Sequence, residues 1–134
     1  MGTVKVLVIS PDPDVRSQLE IALRSTERTT GEGWEVLEAS NGIAGLKLAW
    51  REMPDLVVAD EIASGAGAFA VAKDLRNQLQ PFPGIIVIVL ERRHDAWLAR
   101  WSGADAWVVK PIDAFELADR VTAILGKRAT AGGI

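Results

Sequence analysis

Pro54-Asp55-Leu56-Val57-Val58-Ala59-Asp60 is the stretch from which the fold follows. Four apolar residues in succession, bounded by Pro-Asp and by Asp60, read as a short strand buried on both faces, the pattern of a parallel sheet. Asp60 then stands at the carboxyl end of a central strand, the edge where open α/β sheets hold ligands and chemistry. The glycine-rich Ser64-Gly65-Ala66-Gly67-Ala68 that follows reads as a loop, so Asp60 is expected to face a crevice.

Working outward towards the N-terminus, Val4 to Ile9 is a nearly continuous apolar run and reads as a first buried strand. Asp12-Pro13 starts a helix, with Asp as N-cap and Pro at the first helical position. Val15, Leu19, Ala22 and Leu23 then recur at helical spacing. Thr29-Thr30-Gly31-Glu32-Gly33 reads as a loop, and Trp34 to Ala39 as a weaker strand at the sheet edge. Asn41-Gly42 begins a helix that carries Ile43, Leu46 and Trp50 and ends before Pro54.

On the other side, Ala68, Ala72, Leu75 and Leu79 predict a third helix, stopped by Pro81 and Pro83. Ile85 to Leu90 is an aliphatic strand rich in β-branched residues. Trp97, Leu98 and Trp101 fall on a fourth helix that Gly103 ends as a C′ glycine. Trp107-Val108-Val109 is a fifth strand. Asp113 and Glu116 make a capping box for the last helix, whose inner face is Leu117, Val121, Ile124 and Leu125. Gly126-Lys127-Arg128 closes it, which gives a domain over residues 1–128 and an expected flexible C-terminal tail at 129–134.

Five strands alternating with five helices predict a parallel sheet covered on both faces. Both common doubly wound strand orders satisfy that pattern, and the unit count favours 2-1-3-4-5. At 134 residues, 49% hydrophobic and 25% charged, the chain makes one globular domain. A net charge of −3 gives no nucleic-acid footprint and no basic stripe for a membrane. The absence of cysteine removes disulfides and thiolate metal sites and fits a reducing compartment. No apolar run approaches the roughly 18 residues of a membrane span, and the N-terminus lacks a secretory-signal pattern. A cytoplasmic protein is expected.

The strand ends bring Ser10, Pro11 and Asp12, then Asp60, Glu91 and Lys110, to one edge of the sheet. Carboxylates converging on one ammonium form a dense charge grouping. Strand ends are also commonly polar, and spacing alone does not separate a site from an ordinary wet edge.

Over about Val4 to Lys127 the chain resembles response-regulator receiver domains of two-component signalling. The resemblance is carried by Val6-Leu7-Val8-Ile9 with Asp12-Pro13-Asp14-Val15-Arg16, by Pro54 to Asp60, and by Gly103-Ala104-Asp105-Ala106-Trp107-Val108-Val109-Lys110-Pro111-Ile112. It implies a flavodoxin-like (βα)5 sheet in the order 2-1-3-4-5. It further implies Asp60 as the phosphoacceptor equivalent, Lys110 as the lysine that contacts the phosphoryl group, and a cis Lys110-Pro111 peptide. The implied partners are proteins: a histidine kinase, a phosphotransfer protein or an output domain.

The departures from the family pattern bear on function. Receivers carry two adjacent acidic residues after the first strand that organise Mg²⁺, whereas this chain has Ser10 and Pro11, with Asp12 next. Mg²⁺ requires near-octahedral oxygen ligation, and only Asp12 and Asp60 are left to supply carboxylates. Mg²⁺ is therefore expected to be weakly held or absent, and no other cofactor is expected. Glu91 replaces the family's hydroxyl residue. A carboxylate about 4 Å from an incoming phosphoryl anion costs about 4 kcal/mol at an effective dielectric near 20. Ser64 replaces a proline. The expectation is a pseudo-receiver that signals by protein–protein interaction, with Lys110 bridging Asp60 and Glu91. The alternative is a working phosphoacceptor at Asp60, in which Asp12 swings in and Glu91 points outward.

The chain has five tryptophans and no tyrosine. Trp97 and Trp101, four apart, share a helix face. The resemblance places Trp107 at the family's switch aromatic, which couples the acceptor site to the face of the fourth helix, fifth strand and fifth helix. Trp97, Leu98 and Trp101 read either as partial core or as a docking or homodimer surface rimmed by Arg92, Arg93 and Arg100. His94, the single histidine, reads as a solvated helix start. The sequence has no Gly-x-Gly-x-x-Gly after the first strand, no P-loop and no nucleophile elbow. Pro11-Asp12-Pro13 is the wrong chemistry for a flavin phosphate loop, and the chain does not read as an enzyme.

Overall fold

The alternating pattern folds into one parallel sheet. The computed structural model describes residues 3–62 and 67–132. Strands β1 (Thr3–Ile9), β2 (Gly33–Ala39), β3 (Leu56–Asp60), β4 (Ile85–Leu90) and β5 (Ala106–Val109) stand in the order β2-β1-β3-β4-β5. The helices are α1 (Pro13–Arg24), α2 (Glu27–Thr30), α3 (Gly42–Glu52), α4 (Ala68–Arg76), α5 (Ala96–Ser102) and α6 (Ala114–Gly132), with a 3₁₀ turn at Arg93–Asp95 before α5. The flavodoxin-like order expected from the sequence is the one found.

β3 is central because every residue of Leu56–Asp60 is buried. Val58 lies level with Val8 on one side and Val87 on the other. Side chains of successive strand residues point to opposite faces, so the sheet divides the interior into two layers. Val6, Val8, Val58, Val87 and Val89 pack under α1 and α6 through Leu19, Leu23, Leu117 and Val121. Leu7, Ile9, Val57, Ile86 and Ile88 pack under α3, α4 and α5 through Ala49, Val71, Leu75 and Ala99. Burying each such aliphatic side chain contributes about 1.5–3 kcal/mol.

Helix starts and stops follow local chemistry. Asp12 caps α1 by accepting from Asp14 N at 2.8 Å, with Pro13 at the first position. Asn41 caps α3 through Ala44 N at 2.8 Å. Asp113 caps α6 through Phe115 N and Glu116 N. Gly103 ends α5 at φ 95°, the left-handed region open to glycine.

Several elements differ from the sequence reading. α2 occupies part of the expected loop, ending at Gly31 with φ 73°; so short a turn has no apolar period to betray it. α3 buries Gly42, Gly45 and Ala49 and leaves Ile43 exposed, while Leu46 packs partly buried against the core and the Trp50 ring stands edge-on to Phe82 at 5.9 Å. A Cβ on Gly45 would lie 2.4 Å from Ile9 Cδ1, so the helix sits close on β1 and presents its smallest residues. α4 ends at Arg76, leaving Leu79 outside the helix and fully exposed, while Phe82 enters the core. α6 continues to Gly132, past the expected stop and into the expected tail, because Lys, Arg and Ala favour helix and no proline intervenes. Most of the expected glycine-rich loop, Ser64 included, lies outside the described residues. Among the described residues no helix is long and apolar enough to cross a membrane.

Candidate functional site

β3 delivers Asp60 to the carboxyl edge of the sheet, where the residue is 2% exposed. Its Oδ2 accepts a hydrogen bond from Ser10 Oγ at 2.8 Å. Its Oδ1 meets Lys110 Nζ at 2.9 Å and accepts from Ile62 N at 3.2 Å. The same ammonium donates to Glu91 Oε1. Lys110 is therefore the bridge between Asp60 and Glu91 that the charge pattern predicted. The Lys110 side chain is 24% exposed and that of Glu91 33%, so the pair closes the outer side of the pocket.

Neighbouring strand ends are tied into the same site. Ser10, itself buried, accepts from Asp12 N through Oγ at 3.1 Å. Its carbonyl accepts from Arg16 Nη1 at 2.7 Å, and Arg16 in turn pairs with Glu38 at 3.0 Å. Glu91 N donates to Glu61 Oε2 at 2.6 Å, joining the ends of β4 and β3. The Lys110-Pro111 peptide is cis, as the resemblance implied.

Two residues placed in the pocket by sequence sit differently. The Asp12 side chain is committed to the α1 cap, and it is the Asp12 backbone N–H that meets Ser10. Capping wins because the carboxylate satisfies an otherwise orphaned amide at a helix N-terminus. Pro11 is exposed and brings no side-chain donor or acceptor. This donor set does not suit Mg²⁺. One buried carboxylate, already bonded to a hydroxyl and an ammonium, falls short of the oxygen shell the ion requires. Among the described residues no group of three acidic, histidine or cysteine side chains is placed to hold a metal.

Charge states follow from these contacts. Partial burial works against the Lys110 ammonium, but its hydrogen bonds to Glu91 and Asp60 and their negative charge outweigh that and raise its pKa above the ordinary value. Burial pushes Glu61 up, and the neighbouring Asp95 and Glu91 push it further, against the hydrogen bond it accepts from Glu91 N. Sequence reading missed Glu61 and Asp95. Their only signal was adjacency: Glu61 follows Asp60, and buried Asp95 sits in the turn after β4.

The tryptophans resolve the other open reading. Trp97 is 64% exposed and Trp101 57%, so neither is core; α5 turns Ala99 and Ser102 inward instead. Lys73 of α4 lies over the Trp101 ring at 4.2 Å. Trp107 is half-buried on β5, with the Arg100 guanidinium 5.5 Å from its ring centre. His94 is exposed beside Asp95, at 3.9 Å.

No family model matches the chain. It is 34% identical over 120 residues to the transcriptional regulatory protein AfsQ1 of Streptomyces coelicolor, covering 90% of this chain and 50% of that one. The chain spans about half the length of the curated relatives it matches. Among solved structures, a two-component response regulator of the LuxR family from Aurantimonas is 27% identical with a TM-score of 0.75, covering 93% of this chain and 86% of the other. The chemotaxis response regulator CheY4 of Vibrio cholerae shares the fold at a TM-score of 0.78 and 22% identity, covering 91% and 98%.

Proposed function

We propose that the chain is a response-regulator receiver domain that signals by docking to a protein partner without needing phosphorylation. The observation that supports this is the closed ion-pair set at Asp60. The acceptor oxygens are bonded by Ser10, Ile62 N and Lys110, and Lys110 is held a second time by Glu91. A phosphoryl donor would have to break that set. It would also bring its negative charge up to Glu91 without the cation that normally offsets it. Receiver domains are signalling modules rather than typical enzymes, and the partner is a histidine kinase, a phosphotransfer protein or an output domain. The exposed Trp97 and Trp101, together with the half-buried Trp107 of β5, form the contact face, which also serves a homodimer.

The test is incubation with acetyl phosphate or phosphoramidate in Mg²⁺, followed by intact-mass measurement. The expected result is no stable adduct. A gain of one phosphate located at Asp60 would establish the second reading, a working acceptor phosphorylated by a histidine kinase. What favours that reading is the retained Asp60–Lys110 contact at 2.9 Å.

A further inference from the structure

α3 carries two apolar faces of different kinds. Gly42, Gly45 and Ala49 form the inner one, seated on β1. Ile43, Leu46, Trp50 and Met53 form the other, spaced i, i+3, i+7 and i+10, the a and d positions of a heptad. At about 100° per residue this second stripe lies about a quarter turn round the helix from the first. The edge-on contact of Trp50 with Phe82, which leads into β4, sets the stripe on the flank toward the neighbouring α4. Leu46 is partly buried, but Ile43 is 56% exposed, Trp50 37% and Met53 46%. The apolar period that is plainest in this helix is thus only partly used by the domain's own core.

Met53 adds an independent sign. It ends α3 at φ 47°, in the left-handed region where glycine is the usual residue and a side chain is disfavoured. A methionine held there extends the stripe by one position at a cost in backbone strain, and it is an adaptable apolar contact. On the solvent side of the stripe stand Lys47 and Arg51, both exposed. Lys47 makes no ion pair among the described residues. Arg51 meets only Glu52, at 3.2 Å in an exposed contact of little energetic weight.

We infer that this flank of α3 receives an amphipathic helix of a partner protein, its apolar stripe against Ile43, Leu46, Trp50 and Met53 and its acidic residues beside Lys47 and Arg51. The anchors follow helical spacing, which suits a helix laid along α3. An added strand has nothing to pair with here, because the free sheet edges are β2 and β5. A second copy is disfavoured by charge: stripe against stripe in antiparallel fashion, Lys47 would meet its own equivalent. The surface lies on α3, apart from Trp97 and Trp101 of α5, and the inference does not depend on whether Asp60 takes up phosphate.

The test uses the ¹⁵N-labelled chain and three short synthetic helical peptides. One has a Leu heptad stripe flanked by Glu, one the same stripe flanked by Lys, and one Glu flanks with Ser in place of Leu. Expected with the Glu-flanked Leu peptide are shifts of the Trp50 indole and of the α3 amides, and an affinity that falls with salt. The other two should bind at least about tenfold more weakly. K47E/R51E changes only exposed side chains; it should lose about tenfold for the Glu-flanked peptide and gain for the Lys-flanked one, which also shows that it is folded. Met53→Gly removes the strained side chain, so it should be at least as stable as the wild type in urea while losing about fivefold in affinity. Equal binding of the Glu- and Lys-flanked peptides, or wild-type affinity in M53G, would overturn the inference. So would shifts confined to Trp97, Trp101 and Trp107, or no shift at Trp50 with any peptide. Concentration-dependent self-association that moves Trp50 while the peptides do not would assign the flank to a second copy and overturn it equally.

Discussion

Replacing Lys110 with Met keeps the aliphatic stem and removes the charge, which isolates the ion-pair set at Asp60. At 2.9 Å the Asp60–Lys110 attraction is about 6 kcal/mol gross at an effective dielectric of 20. Much of it offsets the cost of taking both ions out of water. After K110M, the buried Asp60 carboxylate retains Ser10 Oγ and Ile62 N but faces Glu91 with no cation between them. Removing one partner of a fully buried pair costs about 3–5 kcal/mol, and with Lys110 partly exposed the expected loss is about 2–3 kcal/mol. Asp60→Asn in the K110M background removes the stranded charge and should restore about half of that loss. Urea unfolding followed by tryptophan fluorescence reads both values, with the slope unchanged if the fold is intact. A K110M protein within about 0.5 kcal/mol of the wild type, or a double variant no more stable than K110M, would refute a coupled ion pair at this site.

The raised Lys110 pKa gives a second prediction, with its sign fixed by linkage. The stabilisation is fully present below the ordinary lysine value of 10.5 and fades as pH rises through the higher folded value, so the wild-type advantage over K110M should vanish in strong alkali. Glu61 is also raised, so its charged form opposes folding as pH rises past the ordinary carboxylate range; Glu61→Gln should flatten the stability profile between acid and neutral pH. Arg76 bonds the carbonyls of Gly103, Phe82 and Gly84 and pairs with Asp105 at 2.6 Å, so R76K, which cannot reach them together, should cost about 2 kcal/mol in urea unfolding. Trp101→Ala removes a largely exposed ring over which Lys73 rests, and should cost no more than about 1 kcal/mol while weakening partner binding or self-association.

The fold was legible in the sequence wherever strands are buried on both faces. Continuous runs such as Leu56–Asp60 and Ile85–Leu90 have one physical home, and the helices between them force parallel pairing. Helix faces were less legible. In α3 the most deeply buried residues are glycine and alanine, which allow close approach to Ile9, while Leu46 packs only partly buried, so hydrophobicity alone does not mark the contact face. The turn from α4 to β4 depends on Arg76 reaching carbonyls far along the chain, an arrangement without local signal. At the site, charge pattern and resemblance together predicted the Lys110 bridge. They could not weigh the two uses of Asp12, helix cap and pocket ligand, because that choice is made by the geometry of the α1 N-terminus. The burial of Ser10 and the exposure of Trp97 and Trp101 likewise depend on tertiary packing.

The hydrogen bond from Ser10 to Asp60 has a consequence for how such a pocket can change over time. Converting Ser10 to aspartate in one step would set a second carboxylate where Oγ now lies, 2.8 Å from Oδ2, an encounter of about 6 kcal/mol at a dielectric of 20. Exchanging Glu91 for a hydroxyl residue first is mild, since Lys110 then keeps Asp60 as its sole counterion. An evolutionary path between this arrangement and a cation-binding one therefore has a preferred sequence of steps, with the residue after β4 exchanged before the residue after β1.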